Sequence, residues 1–174
     1  MNDITYGRLA EKWPRDYSML ARRIQFLRYN DKLVKLVSSD GHTMICYISK
    51  FNQKQNMILA SEKPKGNNRI EVKLESLASL EEVSAGYDFD GLTVTSELFN
   101  VSPREPTKRD FFSICNKCFK QNIGIRVYML DGRVLEGYTT GVNACQVGLR
   151  TMNGNHTQIL FDWVKRITST DYMD

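Results

Sequence analysis

The sequence predicts a mainly β protein built as two tandem five-stranded barrels, each preceded by an α-helix. Three observations carry that expectation. The stretch from Lys32 to Gln53, KLVKLVSSDGHTMICYISKFNQ, aligns without a gap on Ile123 to Ala144, IGIRVYMLDGRVLEGYTTGVNA. In each copy an Asp-Gly pair, Asp40-Gly41 or Asp131-Gly132, divides two apolar runs, which is the chemistry of a tight hairpin. In each copy a segment with apolar residues at helical spacing comes first. Repetition of this kind constrains the architecture before any single element is placed.

The first helix is expected in DYSMLARRIQFLRYN, where Tyr17, Leu20, Ile24 and Leu27 share a face and Asp16 or Ser18 caps the start. In the hairpins Val34 and Leu36 match Ile125 and Val127, Met44 matches Leu135, Ile48 matches Thr139, and Asn52 matches Asn143. A short apolar strand follows each hairpin, NMILASE or CQVGLRT, then a polar turn, KPKGNN or MNGNH. A longer strand pair closes each unit, RIEVKLESLASLEEV or TQILFDWVKRITST. The second helix is expected in KRDFFSICNKCFKQN, with Phe111, Ile114, Cys115, Cys118 and Phe119 on one face and Asp110 as its cap. Gly137 falls inside the second strand of its hairpin. A glycine there marks a sharp bend or a close backbone approach, and Cys46 takes that place in the first half.

These readings divide the chain into a first barrel over 16–83, a linker over 84–107 and a second barrel over 108–170. The linker carries Tyr87, Phe89, Leu92, Val94, Leu98 and Phe99, too apolar for a free tether, and is expected to pack on a barrel or add a strand. The Trp13-Pro14 segment is expected to do likewise.

Bulk composition sets bounds. The 174 residues are 41% hydrophobic and 25% charged, ordinary values for a globular protein. No run approaches the roughly 18 apolar residues of a membrane span. The N-terminus lacks the apolar centre of a secretory signal, so a cytoplasmic protein without membrane contact is expected, with its four cysteines as reduced thiols. A net charge of +4 permits an anionic partner without requiring one.

The sequence of helix, bent strand, Asp-Gly, bent strand with a glycine five residues on, then asparagine resembles the Sm-like (LSm) family. Asp110 to Thr168 is most similar to the bacterial Hfq RNA chaperones, through VYMLDGRVLEG and QILFDWVKRI, and the first half matches more loosely. The resemblance implies SH3-type barrels that self-associate through their edge strands and bind single-stranded RNA. In such sites bases stack on flat side chains, amides read base edges and cations meet phosphates. Carried over, it implies one RNA face at Tyr128, Gly132, Arg133 and Leu135. It implies pore-facing loops at Asn143 and at Asn52, Gln53 and Lys54, and a basic rim at Arg28 and Lys120. Phe161, Asp162 and Trp163 stand where that family has Tyr-Lys-His, and Val37 stands at the first-half counterpart of Tyr128.

Several of these residues also have a plainer reading. Trp163 alternates with Ile159 and Phe161, which favours packing over base stacking. Asn52 and Asn143 can satisfy the backbone of a tight loop. Cys115-x-x-Cys118 reads as two small buried hydrophobes, since no further ligands stand at zinc spacing. The basic stretch of Arg22, Arg23, Arg28, Lys32 and Lys35 is either a solvated face or a phosphate contact. No nucleophile, paired carboxylate or phosphate-binding glycine loop is present, so neither an enzyme nor a cofactor is expected. The expected function is non-catalytic binding of single-stranded RNA. The alternative is a structural or protein-interaction module on the same fold.

Overall fold

The computed structural model describes residues 16–39, 42–84, 86–89, 91, 93–96 and 111–170. The Asp40-Gly41 pair, Leu92, Leu98, Phe99, Asp110 and the Trp13-Pro14 segment lie outside the described residues.

Helix α1 spans Ser18–Tyr29 and buries Leu20, Ala21, Ile24 and Leu27. The carboxylate of Asp16 caps it from outside, accepting from Ser18 Oγ at 2.6 Å and Ser18 N at 3.0 Å. Those two bonds hold the Asp16 carboxyl below its usual range. Helix α2 spans Phe111–Gln121 and buries Phe111, Cys115 and Cys118, with Ile114 packed beside them. Phe119 departs from the expected face and is 47% exposed. At 100° per residue it falls at the margin of the buried arc.

Five strands follow α1: β1 (Leu33–Ser38), β2 (His42–Asn52), β3 (Met57–Ser61), β4 (Ile70–Lys73) and β5 (Leu77–Glu82). A short β6 (Thr93–Ser96) pairs with the start of β2. Five more follow α2: β7 (Ile125–Met129), β8 (Val134–Val142), β9 (Gln146–Thr151), β10 (His156–Leu160) and β11 (Val164–Ser169). A single 3-10 turn precedes the last strand of each half, Leu74–Ser76 and Phe161–Trp163.

The fold is mainly β, but it is not two separate barrels. The strands form one open antiparallel sheet in the order β11-β7-β8-β9-β10-β5-β1-β2-β3-β4, with β6 off that path. The halves join where β10 pairs with β5, through Thr157↔Glu81, Gln158↔Leu80 and Ile159↔Ser79. Patterning predicted strands with open edges. It does not say which strand completes an edge, and here the other half does. The order within each half repeats, β5-β1-β2-β3-β4 matching β11-β7-β8-β9-β10. One core cluster runs through both, from Leu20, Ile24 and Met44 to Val127, Leu149, Ile159 and Trp163.

The long strands bend where their registers shift, between Ile48 and Lys50 in β2 and between Thr139 and Gly141 in β8. Gly132, at φ +92°, makes the turn into β8. Gly137 is required for space. A Cβ there would stand 2.4 Å from the carbonyl oxygen of Arg150 and 3.1 Å from Thr151 Cα, because β9 is still paired at Gly137↔Thr151. In the first half the corresponding ladder stops at Tyr47↔Ser61, one residue short of Cys46, and the thiol fits. Cys46 is fully buried, and burial pushes its pKa up to about 12.

Candidate functional site

The residues carried over from the resemblance lie on different parts of the sheet, and most of their polar atoms already have partners. Tyr128 is half-buried on β7, with the Arg166 guanidinium 4.3 Å from its ring centre. Burial pushes the phenol upward, but hydrogen bonds from Arg126 and Arg166 outweigh it and leave the pKa below its ordinary value. Arg133 bonds Asp131 Oδ2 at 2.8 Å, Ser79 Oγ at 3.0 Å and Glu81 Oε1 at 3.3 Å, so it ties the β7–β8 turn to β5 across the seam. Gly132 forms that turn, and Leu135 packs against the core. Asn143 Oδ1 accepts from Cys145 N at 2.8 Å and Gln146 N at 3.0 Å, which is the loop-satisfying role. Asn52 exchanges bonds with Gln55 in the same way. Gln53 and Lys54 are exposed in the β2–β3 turn, and Lys120 is exposed near the end of α2. Arg28 donates to Ser49 O at 3.2 Å. Trp163 is buried in the core.

A different surface concentrates more chemistry. Helix α1 belongs to the first half but reaches across the seam. Arg23 pairs with Glu82 on β5 at 2.6 Å, and Asp16, just before the helix, donates its N–H to Cys145 Sγ at 3.3 Å in the β8–β9 loop. Between α1 and the second-half strands lies a cleft of about 370 Å³, lined by Arg22, Arg23 and Phe26 on one side and Thr140, His156 and Gln158 on the other. That volume lies at the small end of ligand sites. Phe26 is 47% exposed, with the Arg23 guanidinium 4.8 Å from its ring centre. Register places Tyr138, Arg150 and His156 in one cross-strand row on β8, β9 and β10. Burial and then the Arg23 charge lower the His156 pKa; Glu82 opposes them and Arg150 adds to them.

The cleft is built on buried amides. Gln158 is 5% exposed, and its Oε1 accepts from Gln146 Nε2 at 2.8 Å. Gln146 is fully buried, and its own Oε1 has no partner. A buried acceptor left so costs about 1–3 kcal/mol. Gly148 makes the room. A Cβ there would lie 2.6 Å from Thr140 Oγ1 and 3.0 Å from Gln158 Nε2. Cations, an open aromatic face and an oriented amide together suit a flat, anionic ligand. Sequence reasoning singled out Arg22 and Arg23 but missed Phe26, His156 and Gln158. The available signal was a glutamine within the apolar strand TQIL.

Among the described residues no group of three His, Cys, Asp or Glu side chains is placed to hold a metal. No helix among them is long and apolar enough to cross a membrane.

A family model described as repressor of phase-1 flagellin matches residues 3–167. The chain is 63% identical to the repressor of phase 1 flagellin gene of Salmonella abortus-equi, over all 174 of its own residues and 97% of the relative. Identity and coverage are the same for the proteins of that name in Salmonella abony and in Salmonella typhimurium strain LT2. No solved structure matches. These matches overturn the Sm-like and Hfq-like resemblance and the RNA-chaperone function drawn from it. The structural-module alternative fits no better, because the relatives are named for a regulatory function. The physical reason is that VYMLDGRVLEG encodes a bent hairpin with room for a crossing strand. That geometry does not establish descent.

Proposed function

The chain belongs to the family of repressors of phase-1 flagellin, and from that premise we propose that it is a non-enzymatic regulator that represses a phase-1 flagellin gene. The carrying observation is 63% identity along the full chain to proteins bearing that name. The protein acts in the cytoplasm, where the gene is expressed. Its direct target is single-stranded RNA, the flagellin transcript, held against the α1 cleft. Support comes from the basic side chains of Arg22 and Arg23 beside an exposed Phe26, with Arg150 next to His156 at the far wall. Expression of the chain in a Salmonella strain lacking its own repressor tests the function. Phase-1 flagellin falls if the proposal is right, and an unchanged flagellin level overturns it.

We read the chain as two copies of one five-stranded unit, 16–83 and 108–170, joined by 84–107. The repeated strand order and the 3-10 turn before each last strand support that division. Self-association through the two end strands follows from it. Leu74 N donates to Asn56 O beside the Met57↔Lys73 pair, so alternate residues of β4, Glu71 and Lys73, turn their backbone groups to the open edge. Thr170 N donates to Gly124 O, which by the same alternation turns Ile167 outward on β11. Glu71 and Ile167 are the repeat counterparts of Gln158 and Leu80, which pair within the chain. A second copy therefore adds its β11 to β4 in the same register. Sedimentation of the chain and of Glu71→Pro tests this: the assembly disperses in the variant, and a wild-type monomer at all concentrations refutes it.

A further inference from the structure

We infer that Gln158 is the base-reading residue of the α1 cleft, offering its Nε2–H group to an acceptor on the edge of a nucleobase stacked on Phe26. This rests on the proposed nucleic-acid contact and goes beyond it by assigning the discriminating atom.

The argument starts from the amide's surroundings. Gln158 sits on β10 where the two halves join, opposite Leu80, and is 5% exposed. Polar atoms in so buried a place are ordinarily hydrogen-bonded. The Gln158 oxygen is so bonded. Gln146 Nε2 donates to Gln158 Oε1 at 2.8 Å. The nitrogen end is left at the cleft. It lies over Gly148 beside the Thr140 hydroxyl, in a space that any Cβ at Gly148 would fill. A donor at the floor of a cleft selects ligands that carry an acceptor there.

The walls define the rest of the ligand. The Phe26 ring is 47% exposed and has Arg23 against it, a surface on which a flat ring stacks. Arg22 lines the same wall and is exposed. Arg150 stands next to His156 in the cross-strand row and is also exposed. The nearby acid Glu82 is already paired with Arg23. The cleft thus presents the exposed guanidinium of Arg22 beside a stacking face and an amide donor. A nucleotide has that set of features: a flat base with acceptors, joined to a phosphate. It comes either from a single strand or as a free nucleotide.

The test uses the purified full chain and titrations with oligo-A, oligo-U and free AMP, on wild type, Gln158→Glu, Gly148→Ala and Arg22→Ala. A carboxylate at 158 still accepts from Gln146 Nε2 but puts an acceptor where the donor was. Gln158→Glu is therefore expected to bind at least about tenfold more weakly, with its melting temperature measured alongside so that lost affinity is separated from lost folding. That loss persists in high salt, where a purely charge-based effect is screened. Gly148→Ala keeps the amide but displaces it and loses affinity too, whereas Arg22→Ala weakens every strand alike. AMP that displaces the oligomers and loses affinity in Gln158→Glu identifies a free nucleotide as the ligand. Displacement by strands alone identifies RNA. Wild-type binding that Gln158→Glu and Gly148→Ala leave within threefold overturns the assignment of Gln158 while the contact itself stands. No binding by wild type at low salt removes both.

Discussion

Replacing Gly137 by alanine isolates the contact that makes β8 and β9 fit. The added methyl would stand 2.4 Å from the Arg150 carbonyl oxygen and 2.9 Å from its carbon. That oxygen contact falls about 1 Å inside the ordinary C···O separation of roughly 3.3 Å. The obstacle is backbone in the middle of a sheet, so relief requires β8 and β9 to part at the Gly137↔Thr151 pair. Overpacking of this kind costs about 1–3 kcal/mol. One or two weakened ladder bonds add about 1 kcal/mol each. The lower entropy of an unfolded alanine returns about 0.4–1 kcal/mol. The net is about 3 kcal/mol, a fall in melting temperature of about 6–12 °C for a chain of this size. Gly132→Ala is the control. Its φ is +92° but nothing lies within 4 Å of a Cβ there, so only the backbone penalty of about 1–2 kcal/mol remains. Urea and thermal denaturation of both variants measure the difference. Gly137→Ala within 1 kcal/mol of wild type, or milder than Gly132→Ala, would refute the close-approach account.

Three further outcomes follow from the same structure. Arg133→Ala removes bonds to Asp131, Ser79 and Glu81 and should lower stability by about 2 kcal/mol in urea titration; a change under 0.5 kcal/mol means the seam does not depend on it. In the folded protein at pH 8, alkylation should reach half-buried Cys145 while Cys46, Cys115 and Cys118 react only on unfolding, which mass spectrometry of modified peptides reports. The folded-state His156 pKa lies below its ordinary 6.5, so the neutral ring's contribution is full above that value and is lost as pH falls through and below it. His156→Asn should therefore lose less stability than wild type between pH 7 and 5, and equal losses would count against a half-buried neutral imidazole.

The helices and hairpins were legible because their signals are local. Leu20, Ile24 and Leu27 recur at helical spacing and are buried. Gly137 announced a close approach, and the crossing backbone is there. The joining of the halves was not legible, because β10 and β5 meet through backbone bonds that side-chain patterning does not encode. The carried-over sites illustrate a second limit. Arg133 read as a free cation, but its partners Ser79 and Glu81 are more than fifty positions away in sequence. The α1 cleft was illegible for the same reason. Phe26 and Gln158 are remote in sequence and become neighbours only because α1 reaches over the other half's strands. The Asp-Gly hairpin motif described local geometry well and descent poorly, which is why full-length identity decided the family.

The most direct measurement of the central claim is the affinity of the purified full chain for the phase-1 flagellin transcript. The account predicts saturable binding that an unrelated transcript does not match, that weakens as salt rises and that falls in Arg22→Ala. Binding no stronger than to the unrelated transcript at low salt, or binding confined to duplex DNA of the gene, would contradict it.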